Sequence, residues 1–376
     1  MKKNYYIYWL LAMTLLVSCI KDEPKNMECD ILEAWVEGDN LDQHFSQATD
    51  MCISDVPSGT DMLTFTVKRL STLPALAMHF TLTPGATVSP ENGSVQDFRN
   101  GPVTYTVTSE DGQWHRTYTV EFREAKLPSN VYDFESFELS TNGKYYVWFD
   151  KADDDTKEYI WASGNEGFMI ASPNAAATDY PTVPDENGFD GCCVRLTTRS
   201  TGSWGKTFKK PIAAGNLFLG AFNSQYALTN TLKTTEMGIP YVKEPVRVTG
   251  YYKYSPGKVF TDKNFKEVDR IDEPSIYSVL YLNHDEQGNS IVLHGDDVLT
   301  SPYIVRKAQV ASLPATSQWQ QFEMEFEGTT PIDATLLANR GYSLALVFSS
   351  SKTGDTFEGA VGSTLYIDKV EISFNN

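Results

Sequence analysis

Two neighbouring stretches of the chain, 103–108 and 117–122, alternate between hydrophobic and polar positions. Successive side chains of a β-strand point to opposite sides of a sheet, so each stretch predicts a strand with one buried face. The sequence Glu-Asp-Gly-Gln between them is typical of a hairpin turn. Short strands without a helical period continue through residues 28–125 and predict an immunoglobulin-like β-sandwich.

A second run of strands follows the segment 126–130, Lys-Leu-Pro-Ser-Asn, whose proline and small polar residues predict a short linker. The run 344–348, Leu-Ala-Leu-Val-Phe, is wholly apolar, as in a strand that is buried on both faces. Residues 366–374 alternate again, and loops rich in Gly, Asn, Asp and Pro separate the strands. The pattern over residues 130–376 predicts a larger β-jelly roll, so the expected fold class is all-β.

The N-terminus has a different pattern. Lys2 and Lys3 precede an apolar run that is too short to span a bilayer, and Cys19 follows small residues in Leu-Val-Ser-Cys. This order predicts a secretory signal peptide over residues 1–18. It resembles the lipobox of bacterial lipoproteins, which implies a lipid on Cys19.

Residues 20–23, Ile-Lys-Asp-Glu, resemble the export signal of Bacteroidetes surface lipoproteins. We therefore expect an outer-membrane lipoprotein that faces the outside of the cell and contacts the membrane only through its lipid anchor. Residues 19–27 would form a polar tether, and a lipoprotein that faces the periplasm is the alternative.

Composition narrows the range of partners. The chain has 376 residues, a formal net charge of −18 and 12% aromatic residues. An acidic surface argues against nucleic acid as a partner and suits neutral ligands, although the charge also serves solubility. Cys29 and Cys52 lie in one predicted domain, and an oxidising compartment permits a disulfide between them. Spacing alone does not fix their geometry, so a bridge and two free thiols both remain open.

The second domain resembles the putative carbohydrate metabolism domain, a family of Bacteroidetes lipoproteins with a jelly-roll core. The matching stretches occur in the family's order, and they are Trp-Ala-Ser-Gly-Asn at 161–165, 213–220, 250–257, 275–281 and 348–366. The resemblance implies a jelly roll after an immunoglobulin-like module, and a role with polysaccharide beside other polysaccharide-utilisation proteins. Fold alone does not determine the function.

Proteins that bind neutral sugars use flat aromatic faces for stacking and polar side chains for the hydroxyl groups. Alternation places Tyr252 and Tyr254 on one face of their strand and Tyr251 and Lys253 on the other. The alternative is that the aromatic side chains fill the core and the lysine extends to water. The candidate glycan-binding residues are Trp148, Trp161, Asn165, Trp204, Lys206, Tyr252, Lys253, Tyr254 and Tyr281.

Carboxylates provide the alternative function, glycoside hydrolysis, which requires two carboxyl groups at a defined separation. Asp355 and Glu358 lie in a glycine-rich segment, 354–363, and Asp272 is a third candidate. Turn formation by Asp355 is the structural alternative. Glu135 and Asp368, near the first and last strands of the jelly roll, are candidate ligands of a structural Ca²⁺. The sequence thus favours non-catalytic glycan binding, with hydrolysis and adhesion as rivals.

Overall fold

A computed structural model describes residues 24–45, 48–68, 73–124, 129–151, 157–227 and 229–375. The chain divides into two compact units, 1–124 and 125–376. The predicted signal peptide and Cys19 lie outside the described residues. Within the described ranges, the helices are too short or too polar to cross a membrane.

The first unit consists of two four-stranded sheets. One has the strand order β2-β1-β4-β6, with β1 Ile31–Glu37, β2 Cys52–Ile53, β4 Leu76–Leu82 and β6 Val95–Gln96. The other has the order β3-β8-β7-β5, with β3 Met62–Val67, β5 Thr87–Ser89, β7 Val103–Thr108 and β8 His115–Glu124. The predicted hairpin is β7 and β8, which pair antiparallel. Their inward-facing residues, Tyr105, Val107, Tyr118 and Val120, are fully buried between the sheets.

The possible disulfide is not formed. Cys29 and Cys52, the cysteines among the described residues of this unit, are free thiols. Cys52 lies opposite Trp35 on the neighbouring strand. Cys29 lies six residues before Trp35 in the chain. Six residues of extended chain span roughly 20 Å, whereas a disulfide requires Cα atoms within about 7 Å.

The second unit is a sandwich of two larger sheets. The six-stranded sheet has the order β15-β16-β30-β22-β27, with β9 beside β30. Its strands are β9 Val131–Tyr132, β15 Thr182–Asp185, β16 Cys193–Thr197, β22 Pro245–Ser255, β27 Thr316–Glu325 and β30 Thr364–Phe374.

The seven-stranded sheet has the order β14-β19-β28-β25-β26, with β20 beside β19 and β21 beside β28. Its strands are β14 Trp161–Ala162, β19 Asn216–Phe222, β20 Thr235–Met237, β21 Ile239–Tyr241, β25 Ser275–Leu282, β26 Ile304–Gln309 and β28 Tyr342–Ser349.

Short strands and helical turns complete this unit. The strands are β10 Phe137–Leu139, β11 Tyr146–Trp148, β12 Asp150–Lys151, β13 Lys157–Glu158, β17 Arg199–Ser200, β18 Ile212–Ala213, β23 Phe260–Thr261, β24 Glu267–Val268 and β29 Gly359–Ala360. The α-helices are α1 Asn165–Ala171, α2 Gly202–Phe208 and α3 Ala334–Ala338. Single 3₁₀ turns cover Leu41–Gln43 and Ala48–Met51 in the first unit, and Ala177–Asp179, Ser224–Tyr226, Thr231–Thr234 and Gly354–Thr356 in the second. The prediction of an all-β chain with two sandwich units is confirmed.

The seven-stranded sheet is buried on both faces. In β28, Leu344, Leu346 and Phe348 face the main core between the two sheets, and Ala345 and Val347 face a second apolar cluster on the other side. This explains why 344–348 is apolar without alternation. The second cluster and the segments that cover it form the walls of the cavity described next.

Candidate glycan-binding cleft

The outer face of the seven-stranded sheet carries a cleft of about 560 Å³. Side chains of three neighbouring strands, Phe218 of β19, Tyr277 of β25 and Val347 of β28, line it from the sheet side. Its volume falls in the range of small-molecule sites, which is about 300–1,000 Å³. The cleft is therefore large enough for a short segment of oligosaccharide.

Segments outside the sheet form the walls of the cleft. These are α1, α2, the polar stretch 229–234, the loop 295–300 and the loop 351–357. The amide of Asn165 fixes the start of α1 because it donates to the Thr182 carbonyl at 2.7 Å and accepts from the Thr182 N–H at 3.0 Å. Loops held by a rigid sheet in this way are common places for binding residues.

Aromatic rings and one lysine form one wall. Trp204 packs against Phe208 of the same helix, with ring centroids 4.6 Å apart. The Lys210 ammonium lies 5.9 Å from the centroid of Trp204 and 5.2 Å from that of Phe357. It donates to the Ala227 carbonyl at 3.0 Å and to the Thr231 hydroxyl, and burial lowers its pKa. Lys210 thus ties this wall to the polar stretch while two aromatic rings line the same space.

The loop 351–357 is held tightly against the sheet. A Cβ on Gly354 would collide with the Cβ of Ala214, so glycine is required there for close backbone approach. Phe357 adopts φ 63°, a left-handed conformation that is costly for a bulky residue. Strain of this kind persists where the surrounding structure fixes a side chain, and here it presents the Phe357 ring to the cleft.

Asp355 is the carboxylate of this loop. It retains contact with solvent, but desolvation in the cavity wall raises its pKa, and the nearby charge of Glu358 adds to the shift. The backbone N–H of Thr356, which donates to Asp355 at 2.9 Å, opposes that shift. Among the described lining residues, Asp296 is the other carboxylate, and it forms an ion pair with Lys233 at 3.4 Å. Glu358 is not part of the lining.

Asp272 supports the loop from below and is only 1% exposed. One carboxylate oxygen accepts from the Ser351 hydroxyl at 2.6 Å and from the Ala360 N–H and the Ser363 hydroxyl at 2.7 Å. The other accepts from the Glu273 N–H at 3.0 Å. Burial under the loop excludes a substrate, so this position is structural and does not suit a catalytic acid.

Residues 133–373 match the family model described as "Putative carbohydrate metabolism domain". This chain belongs to the putative carbohydrate metabolism domain family. Residues 46–121 match a second model, described as "SGBP, N-terminal". None of the curated proteins compared with the chain matches it.

Two solved structures support the same assignment. A putative glycoside hydrolase from Bacteroides thetaiotaomicron is 36% identical, with a TM-score of 0.70, and the match covers 95% of this chain and 99% of that one. A putative glycoside hydrolase from Bacteroides vulgatus is 35% identical, with a TM-score of 0.62, over 67% of this chain and 100% of that one. The assignment associates this carbohydrate metabolism domain protein with glycans.

Several sequence-predicted site residues lie away from the cleft of this family member. Trp148, Trp161, Tyr252 and Tyr254 are buried in the main core, and Tyr281 in the second apolar cluster. A ring inside a packed core cannot stack on a soluble ligand, so these side chains serve the fold. Asn165 is likewise fully buried.

Three other predicted residues are accessible. Trp204 lines the cleft, whereas Lys206 is exposed on the same helix but is not among the lining residues. Lys253 is half-buried on the outer face of the other sheet. The predicted alternation in β22 is correct, because Tyr252 and Tyr254 face the core and Tyr251 and Lys253 face outward. For the two tyrosines the structure therefore matches the alternative interpretation, in which these rings fill the core.

The two predicted calcium ligands approach the same loop. Glu135 accepts from the Cys192 N–H at 2.8 Å, and Asp368 accepts from the Asp190 N–H at 3.1 Å. Asp368 is fully buried, and desolvation raises its pKa. The described residues contain no group of three acidic, His or Cys side chains that could hold a metal, so carbonyl oxygens of the loop would have to supply further ligands. Oxygen-only donors suit Ca²⁺, and the site stays a prediction.

Sequence reasoning missed several lining residues. Phe357 lies inside the glycine-rich segment that drew attention to Asp355 and Glu358, and the cost of a left-handed phenylalanine is not visible in the sequence. Lys210 and Asp296 reach the cleft from loops whose paths depend on tertiary packing. The four-residue spacing of Trp204 and Phe208 places both rings on one face of a helix, but it gives no signal for Phe357, Lys210 or Asp296.

Proposed function

We propose that this protein binds neutral oligosaccharide or polysaccharide in the cleft without cleaving it. The observation that carries the proposal is the composition of the cleft, in which the rings of Trp204 and Phe357 line a mainly apolar space together with serine and threonine hydroxyls and the Asn216 amide. A sugar ring presents C–H faces to aromatic rings and hydroxyl groups to polar side chains.

Polar groups on several walls could bind those hydroxyls. Thr201, Thr235, Asn216, Ser349 and Asp355 all line the cleft. Asn216 already accepts from the Gly164 N–H at 2.7 Å, so its oxygen is oriented before a ligand arrives. Binding groups that are fixed in advance lose less entropy when a ligand binds.

The arrangement of carboxylates favours binding over hydrolysis. A glycosidase needs two carboxyl groups about 5–5.5 Å or about 6.5–9.5 Å apart on either side of the bond that breaks. Desolvation, with a smaller contribution from the charge of Glu358, raises the pKa of Asp355 in the direction that suits a general acid, and Glu358 itself lies outside the lining. Asp296, the other carboxylate of the described lining, forms an ion pair with Lys233 at 3.4 Å. The described lining therefore offers one carboxylate with a raised pKa, and its second carboxylate is engaged by a lysine.

Glycoside hydrolysis is the second candidate function. The specific observation in its favour is the raised pKa of Asp355. The two similar solved structures also carry the description "putative glycoside hydrolase". In this alternative, Asp355 would protonate the leaving group, and Asp296 would act on a water molecule across the cleft.

The N-terminal half suggests where the protein acts. The match of residues 46–121 to the SGBP N-terminal model supports a place among surface glycan-binding proteins. Together with the predicted lipid on Cys19, it supports an outer-membrane lipoprotein that captures polysaccharide for neighbouring polysaccharide-utilisation proteins. An adhesive or structural role without a soluble ligand is the remaining alternative.

The test follows binding and cleavage in one sample. The soluble chain 24–376 is incubated with galactan, xyloglucan, arabinoxylan, galactomannan and pullulan, and both retention and new reducing ends are measured. The proposal predicts retention by at least one glycan without release of reducing ends, and loss of retention in Trp204→Ala. Release that disappears in Asp355→Asn would establish hydrolysis, and absence of both signals would favour adhesion.

A further inference from the structure

A second group of accessible aromatic rings lies on the outer face of the six-stranded sheet. We call it the aromatic platform, and it consists of Phe189, Tyr251, Lys253, Trp319 and Tyr366. Tyr251 and Lys253 come from β22, Trp319 from β27 and Tyr366 from β30, which are adjacent strands. The main core separates this sheet from the seven-stranded sheet. The platform and the cleft are therefore on opposite sides of the sandwich.

The rings of the platform contact one another closely. Phe189 stacks flat on Tyr251, with centroids 3.7 Å apart and an interplanar angle of 9°. Trp319 stands edge-on to Phe189 at 6.3 Å and to Tyr366 at 6.5 Å. Phe189 is 46% exposed, so one face of its ring is open to a ligand. Tyr251, Trp319 and Tyr366 are half-buried beside it, and accessible apolar patches rimmed by polar residues are typical of interaction sites.

Polar groups are interleaved with these rings. The Lys253 ammonium lies 4.5 Å from the centroid of Trp319 and 4.6 Å from that of Tyr366, which holds it between them by cation–π attraction. On the other side of Tyr366, Arg195 lies directly across the sheet and pairs with Asp185 at 3.1 Å. Hydrogen-bonding groups thus flank the rings along the sheet.

The loop that carries Phe189 is fixed. The Gly188 N–H donates to the Gly191 carbonyl at 2.9 Å and closes the turn. The buried carboxylate of Asp368 holds the Asp190 N–H, and Glu135 holds the Cys192 N–H. The phenylalanine ring therefore has a set position above Tyr251. A stacking surface in a fixed position loses little entropy when it binds a ligand.

The chemistry of the platform selects among classes of occupant. The centres of protein–protein interfaces are depleted of lysine and of charged residues in general, whereas Lys253 lies in the middle of this surface. The net charge of −18 disfavours nucleic acid. A sugar chain can bind both the aromatic rings and the basic side chains of the platform. Its ring faces stack on Phe189 and Trp319, and its hydroxyls form hydrogen bonds with lysine and arginine. An open sheet face suits the side of a long chain, while the cleft encloses a short segment.

We propose that the aromatic platform is a second glycan-binding surface, which binds the side of a neutral polysaccharide chain independently of the cleft. Two sites on one molecule raise the avidity for a polymer that reaches both, or allow one molecule to join two chains. The platform therefore contributes to the binding of polymers and leaves the binding of short oligosaccharides to the cleft.

The experiment compares polymer with oligosaccharide. The soluble chain 24–376 is measured by affinity electrophoresis in gels that contain galactan, xyloglucan, arabinoxylan, galactomannan or pullulan, and by calorimetry with hexasaccharides of the same backbones. The variants are Phe189→Ala and Trp319→Ala for the platform and Trp204→Ala for the cleft. Trp114→Ala is the matched control, because Trp114 is 57% exposed and belongs to the first unit. Thermal unfolding and light scattering verify the fold and the oligomeric state of each variant.

We expect each platform variant to lose about tenfold in affinity for the retained polymer, which corresponds to ~1.4 kcal/mol, with unchanged binding of the hexasaccharide. Trp204→Ala should weaken both, and Trp114→Ala neither. Three results would overturn the proposal: platform variants with wild-type affinity for the polymer, a parallel loss of hexasaccharide binding in Phe189→Ala, or a wild-type chain that none of the polymers retards. A wild-type dimer that Phe189→Ala converts to a monomer, with polymer affinity unchanged, would assign the surface to self-association instead.

Discussion

Mutation of Asp272 can distinguish a structural carboxylate from a catalytic one. Its two oxygens accept four hydrogen bonds, three of them on one oxygen. Two of the four donors are the backbone N–H groups of Glu273 and Ala360, and the other two are serine hydroxyls. The substitution Asp272→Asn preserves size but removes the charge. It also places an NH₂ group where one oxygen accepted.

The magnitude follows from those bonds. A hydrogen bond to a charged group contributes roughly 1.5–3 kcal/mol, and one between neutral groups roughly 0.5–1.5 kcal/mol. We assume that the amide oxygen of the new asparagine takes the place of the oxygen that accepts three hydrogen bonds. Each of these three bonds is then weaker by about 1 kcal/mol, and the NH₂ group faces the Glu273 N–H. The expected destabilisation is about 3 kcal/mol. For a domain of this size, about 2–4 °C per kcal/mol predicts a fall in Tm of about 6–12 °C.

Differential scanning calorimetry measures the change, and Glu273→Gln is the control. Glu273 is the next residue, but its exposed side chain makes only a 3.7 Å ion pair with Lys352, so its removal should cost less than 1 kcal/mol. The reasoning would be refuted if Asp272→Asn unfolded within 2 °C of the wild type. Unchanged stability with loss of a glycan-cleaving activity would identify Asp272 as a catalytic group.

Three further predictions concern other parts of the chain. Burial raises the pKa of Asp150 to about 6 from 3.8; protonation is therefore favoured in the folded state, and stability falls as pH rises from about 4 to about 6. Denaturant titrations should therefore give Asp150→Asn a free energy of unfolding that exceeds that of the wild type by up to about 3 kcal/mol at pH 8 and equals it at pH 3.5. An equal difference at both pH values would contradict this. Added Ca²⁺ should raise the Tm of the wild type in chelator-treated samples and leave Asp368→Asn and Glu135→Gln unaffected, and a wild type that is insensitive to Ca²⁺ would exclude the site. Mass spectrometry after alkylation without reductant should find Cys29 and Cys52 both modified, whereas a bridged pair would remain unmodified.

Much of the fold follows from local patterns in the sequence. The hairpin of β7 and β8 was predictable because period-two alternation on both sides of a turn fixes which residues face inward. The apolar run of β28 was predictable as a strand buried on both faces, although the sequence did not show what covers the second face. Tertiary packing supplies that cover through α1, α2 and the loops around the second apolar cluster.

The candidate site was less predictable. Aromatic content suggested stacking, but it does not distinguish Trp161, which packs in the core against Tyr132 and Phe134, from Trp204, which lines the cleft. The two tryptophans differ in their tertiary environment, and the local sequence does not indicate which of them is buried in the core. A strand pattern does separate one face from the other, as it did for Tyr251 and Lys253. It does not tell which face is covered.

Calorimetric titration of the soluble chain with a hexasaccharide of the retained polymer tests the central claim most directly, provided that reducing ends are followed in the same samples. The account predicts saturable binding, affinity at least tenfold weaker in Trp204→Ala than in the wild type or Trp114→Ala, and no increase in reducing ends over a day. Equal affinity in Trp204→Ala would contradict the placement of the site in the cleft. A steady rise in reducing ends that Asp355→Asn abolishes would show that the cleft cleaves glycan.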